Sequence, residues 1–321
     1  MSLPTYETQS SWKELQKFLP ESIQFDSEHE PVEEWWGNHG HTIHLDRWRN
    51  PDAKVRVIMH HGVDTNGRQM SLILGIPLLK AGFEAVAIDM PNYGMTKVAK
   101  GTTVSYDDWV NISNDFVNFE LEHDPRPIVL YGLSAGGMLT YHVAALNKKV
   151  KGIIGMTFLD TQIQQVRDES CRNLFMSRVG VPAANLFAPI PLLNSISIPF
   201  YLASKMWALA NDPAAMKIFM ADKTSAGAWT SMKFFSSFMN YKPVVPPEEF
   251  TICSILLTQP AVDYWTPLYL AELFLKRVKK VDIKIVMLEN AGHYPLEQPG
   301  LQQMHDAIIS FLRGIEASLE T

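Results

Sequence analysis

The chain has 321 residues, of which 46% are apolar and 19% charged, and its formal net charge is −6. This is the composition of an ordinary globular protein and excludes a largely disordered chain. The acidic balance argues against a nucleic-acid surface, because phosphate binding needs a basic patch and only short basic runs such as Lys279 and Lys280 occur.

Short apolar runs alternate with longer amphipathic ones from Val55 onward, which predicts a mostly parallel sheet with crossover helices. The runs are rich in Val, Ile and Leu, as buried parallel strands are. Strands are predicted at residues 55–60, 83–89, 128–131, 150–157, 252–257 and 283–288. Apolar residues at helical spacing predict one helix around residues 109–119 and another over residues 301–315.

The alternation fails between residues 159 and 245, where apolar residues crowd without a strand period. We therefore predict that residues 1–158 and 246–321 form an α/β core and that residues 159–245 form an inserted, largely helical cap. The cap is rich in methionine and aromatic side chains, which are suited to lining an apolar ligand cavity. Any one of these side chains could equally serve only to pack the cap onto the core.

Targeting and redox signals are weak. Cys171 and Cys253 lack paired spacing, which predicts neither a disulfide framework nor a cysteine metal site. The N-terminal segment has no apolar run behind a basic start, so it does not resemble a secretion signal, and we expect a cytoplasmic protein. Residues 179–204 are uncharged, but prolines interrupt them, which favours a folded lid over a transmembrane helix.

The stretch "LYGLSAGGMLTYH" at residues 130–142 begins in a predicted strand and continues as a helix. Gly132 and Gly136 flank Ser134 and permit a strained turn that holds the serine clear of its own backbone. A serine hydroxyl needs this exposure, and a neighbouring base, to act as a nucleophile. The stretch therefore predicts Ser134 as a nucleophile, although the bare pentapeptide also occurs by chance.

In this context "GLSAG" resembles the nucleophile elbow of the α/β-hydrolases, in which an acid and then a histidine follow the serine. "AVDYWTP" is similar to the segment that carries the acid, and "ENAGHYPLEQP" resembles the histidine loop. The resemblance implies an α/β-hydrolase fold, with His293 as general base toward Ser134 and Asp263 orienting the imidazole. Pro260 departs from the glycine that many members have before the acid.

Each partner of the serine also has an ordinary structural interpretation. Asp263 precedes Thr266 and Pro267 and could cap a helix. A lone loop histidine such as His293 is usually a surface residue. The catalytic interpretation is favoured because all three candidates follow strands in the expected order, and catalytic groups of open α/β sheets collect at strand ends.

An oxyanion needs preorganised N–H donors. The resemblance implies the backbone amide of Ala135 as one donor, and "HHGVD" resembles the family's His-Gly loop, which implies the Val63 amide as the other. His60 and His61 are expected to pack and to hydrogen-bond this loop. "DMPNYGMT" resembles another turn of the family, in which we interpret Asp89 as structural.

A metal site is a competing hypothesis, because "HGHTIH" places His39, His41 and His44 at a spacing that resembles the metallo-β-lactamase-like signature. Ile43 occupies the aspartate position, and strand alternation places His44 on the opposite face from His39 and His41. Antiparallel edge strands are favoured instead. No cofactor or metal is predicted, because a triad and an oxyanion hole suffice for acyl transfer to water.

Serine at the elbow speaks against epoxide hydrolases and haloalkane dehalogenases, which resemble this fold but use aspartate there. Hydrolysis of an ester, a lactone, an amide or a carbon–carbon bond remains. The apolar cap predicts a substrate with an acyl chain, so we expect a serine hydrolase of a small apolar acyl ester or lactone. Acyl-homoserine lactones, the substrates of quorum-quenching enzymes, are a specific candidate by analogy. A carbon–carbon bond hydrolase and a slow-turnover ligand-binding or signalling protein are the alternatives; the sequence does not indicate an oligomeric state.

Overall fold

A computed structural model of the protein describes residues 3–319. Its strands are β1 (Val32–Asn38), β2 (His41–Trp48), β3 (Arg56–His60), β4 (Glu84–Ile88), β5 (Ile128–Gly132), β6 (Gly152–Gly155), β7 (Ser197–Pro199), β8 (Trp229–Ser231), β9 (Ser254–Pro260) and β10 (Ile283–Leu288). Its α-helices are α1 (Ser11–Leu15), α2 (Gly67–Lys80), α3 (Tyr106–His123), α4 (Ala135–Asn147), α5 (Gln164–Ser170), α6 (Val181–Phe187), α7 (Pro213–Ala221), α8 (Met232–Asn240), α9 (Leu268–Leu275) and α10 (Gly300–Leu319).

The central sheet has eight strands in the order β1-β2-β4-β3-β5-β6-β9-β10. β1 pairs with β2, and β2 with β4, in antiparallel fashion, whereas all other pairs are parallel. The prediction of a mostly parallel sheet with crossover helices is confirmed, and all six predicted strands are present. β3, β4 and β5 are buried along their whole length, because helices cover both faces of the sheet.

The helices beside the sheet begin at capping residues that the sequence provides. Asn66 and Gln69 form a capping box at the start of α2, and Ser105 and Asp108 form one at the start of α3. Both boxes satisfy backbone N–H groups that have no partner within the helix. They therefore set where the chain turns back from the strand ends onto the sheet.

Between β6 and β9 the chain leaves the sheet and forms α5 to α8 together with an antiparallel pair, β7 and β8. The uncharged stretch at residues 179–204 is divided here among α6, turns and β7. Within residues 3–319, no helix combines the length and apolar character that a bilayer crossing requires.

Strand register determines which loops become neighbours. His60 lies opposite Gly132 at the ends of β3 and β5, and Pro260 lies opposite Leu288 at the ends of β9 and β10. All four strands are parallel, so their following loops emerge at the same edge of the sheet. The loops that contain Val63 and Ser134 are therefore adjacent, as are those that contain Asp263 and His293.

Candidate active site

Ser134 lies at the junction of β5 and α4 with φ 54° and ψ −124°, a conformation that side-chain-bearing residues rarely adopt. A Cβ atom at Gly132 would overlap the Gly136 carbonyl, and one at Gly136 would lie 2.6 Å from the His60 carbonyl oxygen. Both flanking glycines are thus required by close backbone contacts. They hold the turn sharp and Ser134 at its tip.

The Ser134 hydroxyl is not used by the helix that follows it. A serine at an N-cap usually accepts a first-turn N–H, but Ser134 makes no such bond to α4. The residue is 6% exposed and lines a mostly apolar cavity together with Val63, Ala135 and Trp265. Its hydroxyl is therefore free to meet a ligand in that cavity.

Asp263 and His293 are in direct contact. Asp263 Oδ2 lies 2.8 Å from His293 Nδ1 and accepts the Thr266 hydroxyl at 2.7 Å. Asp263 Oδ1 accepts the backbone N–H groups of Trp265 and Thr266, each at 2.8 Å. Both carboxylate oxygens are thus engaged, and the Nδ1 proton of His293 donates to Asp263.

The pair is electrostatically matched. Burial opposes ionisation of Asp263, but the His293 imidazole and the Thr266 donors outweigh it, so the pKa of Asp263 lies below its usual value. An ionised Asp263 favours the tautomer with its proton on Nδ1 and stabilises an imidazolium. This leaves the lone pair on His293 Nε2.

His293 is 2% exposed, so it is a buried residue and not the surface histidine considered above. Its Nε2 atom has no hydrogen-bond partner within residues 3–319 and is therefore not bonded to Ser134. The His293 ring packs on Trp265 at a centroid distance of 5.0 Å, and Trp265 lines the cavity that contains Ser134. Catalytic hydrogen bonds often tighten only when substrate binds.

Val63 and Ala135 lie beside Ser134 in the cavity wall. Within residues 3–319, neither backbone amide donates to a protein acceptor. Gly62 is so close that a Cβ atom there would lie 2.8 Å from Ser134 Cβ and 3.3 Å from the Ala135 nitrogen. Two unpaired amides thus border the serine, an arrangement suited to an oxyanion.

The loop with Val63 is held by histidine hydrogen bonds. His61 Nε2 accepts the Met90 N–H at 2.9 Å, and its Nδ1 atom lies 2.6 Å from the Gly62 carbonyl oxygen. Burial lowers the pKa of His61 to about 4, so the ring is neutral and Nδ1 donates. Asp89 accepts the Gly67 N–H at 2.6 Å, which ties the start of α2 to the end of β4.

Pro260 does not divert the acid loop. It ends β9, and the next two amides, of Ala261 and Val262, donate to the Leu288 and Ala291 carbonyls at 2.9 and 3.0 Å. Asp263 does not cap α9, whose N-cap is Pro267. Instead, one of its oxygens closes the turn through Thr266 while the other faces His293.

Thr266 contacts both Asp263 and His293, and the sequence reasoning did not single it out as a support for Asp263. Its hydroxyl bonds Asp263 and lies 3.2 Å from His293 Nδ1. The signal was available, since Asp followed by Thr three residues later is typical of side-chain-closed turns. What the pattern does not indicate is that the hydroxyl shares an oxygen with a histidine from another loop.

The three histidines of the competing metal hypothesis point to different partners. The prediction that His39 and His41 share a strand face is wrong, because His39 lies in the β1–β2 turn with φ 48°. His39 Nε2 lies 2.9 Å from Asp115 Oδ2. His41 Nδ1 accepts the Ala99 N–H. His44 is buried between the Glu33 and Asp89 carboxylates.

A different trio, Glu33, His44 and Asp46, is the one set of possible metal ligands that converges within residues 3–319. Arg68 Nε lies 2.6 Å from Asp46 Oδ2, and His44 Nε2 lies 2.8 Å from Glu33 Oε2. Protein cations already balance these carboxylates, so the donor set does not fit a metal site.

The sequence matches the model of the alpha/beta hydrolase family over residues 57–302. Comparison with curated proteins gives no sequence match. Among solved structures, the fold is similar to a monoglyceride lipase from Saccharomyces cerevisiae (17% identity, TM-score 0.73, covering 92% of this chain and 98% of that one). It is also similar to a monoacylglycerol lipase from Paleococcus ferrophilus (18% identity, TM-score 0.66, covering 88% of this chain and 99% of that one). A third similar structure is a carboxyl esterase from Bacillus coagulans (16% identity, TM-score 0.67, covering 88% of this chain and 98% of that one). The predicted fold is confirmed, and the chain belongs to the alpha/beta hydrolase family.

Proposed function

We propose that the protein is a serine hydrolase that cleaves a carboxylic ester or lactone of an apolar acyl substrate, with Ser134, His293 and Asp263 as its catalytic triad. The observation that carries the proposal is the buried Asp263–His293 contact. Within residues 3–319 His293 Nε2 has no hydrogen-bond partner, and Trp265, on which the His293 ring packs, lines the same cavity as Ser134.

In this mechanism Ser134 Oγ attacks the ester carbonyl while His293 Nε2 takes the hydroxyl proton. The amides of Val63 and Ala135 donate to the oxyanion that forms. The alkoxide leaves with the proton from His293, and the acyl group remains on Ser134. Water then attacks the acyl-enzyme with His293 again as base, which releases the acid and restores the serine.

We further propose that residues 159–245 form a cap that shapes the acyl site. Phe200, Ala203, Phe238 and Met239 from this segment line the same cavity as Ser134. The cavity measures about 40 Å³, room for roughly three water molecules. An acyl chain therefore requires cap side chains to move.

A second apolar hollow of about 450 Å³ lies within the cap and is lined by Phe235, Met232 and Ile198 among others. The rings of Phe235 and Phe200 pack edge to face with their centroids 6.2 Å apart, and Phe200 lines the Ser134 cavity. We propose that this ring pair separates the two spaces and that a longer acyl tail passes between them.

The substrate class is supported by two solved proteins of similar fold, a monoglyceride lipase and a carboxyl esterase. Acyl-homoserine lactones are a narrower candidate that combines an apolar tail with a ring ester.

The two free, buried cysteines, Cys171 and Cys253, support a reducing compartment, so we propose the cytoplasm as the location of the protein.

The test is product detection by mass spectrometry on one panel of acylglycerols, acyl-homoserine lactones and nitrophenyl esters of several chain lengths. Wild type is compared with Ser134→Ala and with chelator-treated enzyme. We expect chelator-insensitive hydrolysis of at least one class, reduced by at least about a thousandfold in Ser134→Ala. Full activity in that variant would overturn the triad, and ring opening of lactones alone would select the lactonase.

A further inference from the structure

A small polar space lies beyond the cavity that contains Ser134. It measures about 10 Å³, the size of one water molecule or one hydroxyl group. Tyr106, His142, Tyr241 and Asp160 line it. The other four residues of its wall, Met138, Leu159, Thr161 and Phe238, also line the Ser134 cavity. The two spaces are thus adjacent and share these four residues as a common wall.

Two of the side chains that line this space each carry a polar atom without a partner among the described residues. Tyr106 is 1% exposed and His142 is 4% exposed, and within residues 3–319 neither Tyr106 Oη nor His142 Nδ1 has a hydrogen-bond partner. Buried polar groups are nearly always hydrogen-bonded, and one that is left unpaired is destabilising. Two such groups beside one water-sized space indicate a hydrogen-bonding group that the protein itself does not supply.

The aromatic rings hold these groups together. The Tyr106 and His142 rings meet edge-on at 5.9 Å, and the Tyr241 ring lies 4.5 Å from His142 and 5.3 Å from Tyr106. Tyr106 also contacts Phe238, a residue of the shared wall, at 5.2 Å. The three rings that line the space therefore pack against one another and against the shared wall.

Helix α4 relates this cluster to the nucleophile. Met138 and His142 are four residues apart, which places them on one face of α4, and Ser134 precedes the helix as its N-cap. Two turns of helix separate Ser134 from His142, roughly 12 Å along the axis. Met138 lies between them and lines both spaces.

The cluster favours a neutral ligand. Burial lowers the pKa of His142 to about 3 and raises that of Tyr106 well above its usual value, so both are uncharged. The Asp160 carboxylate is paired with Arg277 at 3.1 Å. A hydroxyl group both donates and accepts, so one hydroxyl can bond Tyr106 and His142 at the same time.

We propose that the space lined by Tyr106, His142 and Tyr241 is a specificity subsite that binds a hydroxyl group of the substrate, about two helical turns from Ser134. The inference rests on the proposed ester hydrolysis and narrows its substrate to hydroxylated acyl esters. The hydroxyl belongs either to the acyl tail or to the alcohol part of the ester.

The test compares matched substrate pairs in two arms. In the acyl arm, nitrophenyl 8-hydroxyoctanoate is compared with nitrophenyl octanoate; in the alcohol arm, 8-hydroxyoctyl butyrate is compared with octyl butyrate. We expect wild type to prefer the hydroxylated member of one arm by about tenfold or more in kcat/KM. The arm that shows the preference identifies which side of the ester reaches the subsite.

Tyr106→Phe and His142→Phe should bring this preference to near unity while activity on the plain ester is retained. Tyr131→Phe, which removes a buried hydroxyl whose partner is Met304, is the matched control and should keep the preference. The melting temperature of Tyr106→Phe should be unchanged or higher, because its hydroxyl has no protein partner. A clear loss of stability would indicate a structural role and contradict the subsite.

Calorimetric binding of 1,8-octanediol and 1-octanol to Ser134→Ala tests the subsite without turnover. The proposal is supported if Ser134→Ala binds 1,8-octanediol more tightly than 1-octanol and if the double variant Ser134→Ala, Tyr106→Phe binds both equally. Equal binding together with equal kcat/KM for both members of each pair would overturn it and leave a buried water as the occupant. If no ester is hydrolysed in a Ser134-dependent way but the protein still binds the diol more tightly than 1-octanol, the proposed function is rejected and the subsite is kept.

Discussion

Asp263 and Thr266 contact each other twice, through the Thr266 hydroxyl on Asp263 Oδ2 at 2.7 Å and the Thr266 N–H on Asp263 Oδ1 at 2.8 Å. His293 Nδ1 shares Oδ2 at 2.8 Å. The turn itself therefore fixes the plane of the Asp263 carboxylate. Two of the contacts that orient Asp263 thus come from a residue three positions away in the chain.

Thr266→Val should lower kcat by about tenfold with little change in KM, because a hydrogen bond to a charged carboxylate is lost while the substrate cavity keeps its shape. Thr266→Ser retains the hydroxyl and is the matched control. Steady-state kinetics on the best nitrophenyl ester separates the two parameters. Wild-type kcat in Thr266→Val would show that backbone donors alone orient Asp263.

Ser134→Gly should be more stable than Ser134→Ala by about 1–2 kcal/mol, because φ 54° with ψ −124° strains any residue with a Cβ atom. Both variants should be inactive. Urea unfolding of the two proteins measures the difference. Equal stability would mean that the turn imposes no strain on residue 134.

Val63→Pro should reduce kcat by about 10²–10³ because it removes one of the two amides next to Ser134. Val63→Ala keeps the amide and should stay within a few fold of wild type. Near-UV circular dichroism checks that the loop is intact in both variants. Equal activity of Val63→Pro and Val63→Ala would exclude the Val63 amide as an oxyanion donor.

His44 should make stability depend on pH above neutrality. Burial opposes its charge, but Asp89 and Glu33 outweigh it and raise the pKa of His44 to about 10. Its contribution is complete below the unfolded pKa of about 6.5 and is lost as the pH rises through about 10. His44→Gln should cost about 3 kcal/mol at pH 6 and much less at pH 10. A difference in the free energy of unfolding between wild type and His44→Gln that stays the same from pH 6 to pH 10 would contradict the raised pKa of His44.

Phe200→Ala should shift the preferred acyl chain to a longer length, because it removes one ring of the Phe200–Phe235 pair, which we propose separates the Ser134 cavity from the larger apolar hollow lined by Phe235. Phe250→Ala removes an equally buried ring that lines neither space and is the control. Each variant should lose about 3 kcal/mol of stability. Chain-length profiles on nitrophenyl esters would be unchanged in Phe200→Ala if the tail takes another path.

Some site contacts could be read from the sequence because they are local. The glycines around Ser134 and the strands before Ser134, Asp263 and His293 lie within a few residues of the groups they position. The Thr266 contact to Asp263 is also local, but the same residues are typical of a helix start, so the pattern does not indicate that the Thr266 hydroxyl also lies beside His293. His39 was misplaced on a strand face because a two-residue hairpin turn is hard to separate from the strands it joins.

The sequence by itself determined the strand and helix alternation, the family and the order of the three candidate catalytic residues, because these follow from hydrophobic periodicity and short motifs. Only the tertiary structure decided that Asp263 contacts His293, that His44 is enclosed by two carboxylates, and that Tyr106 meets His142 beside the Ser134 cavity. These pairs are distant along the chain. Their contacts arise from strand register and helix packing, which no local pattern of residues encodes.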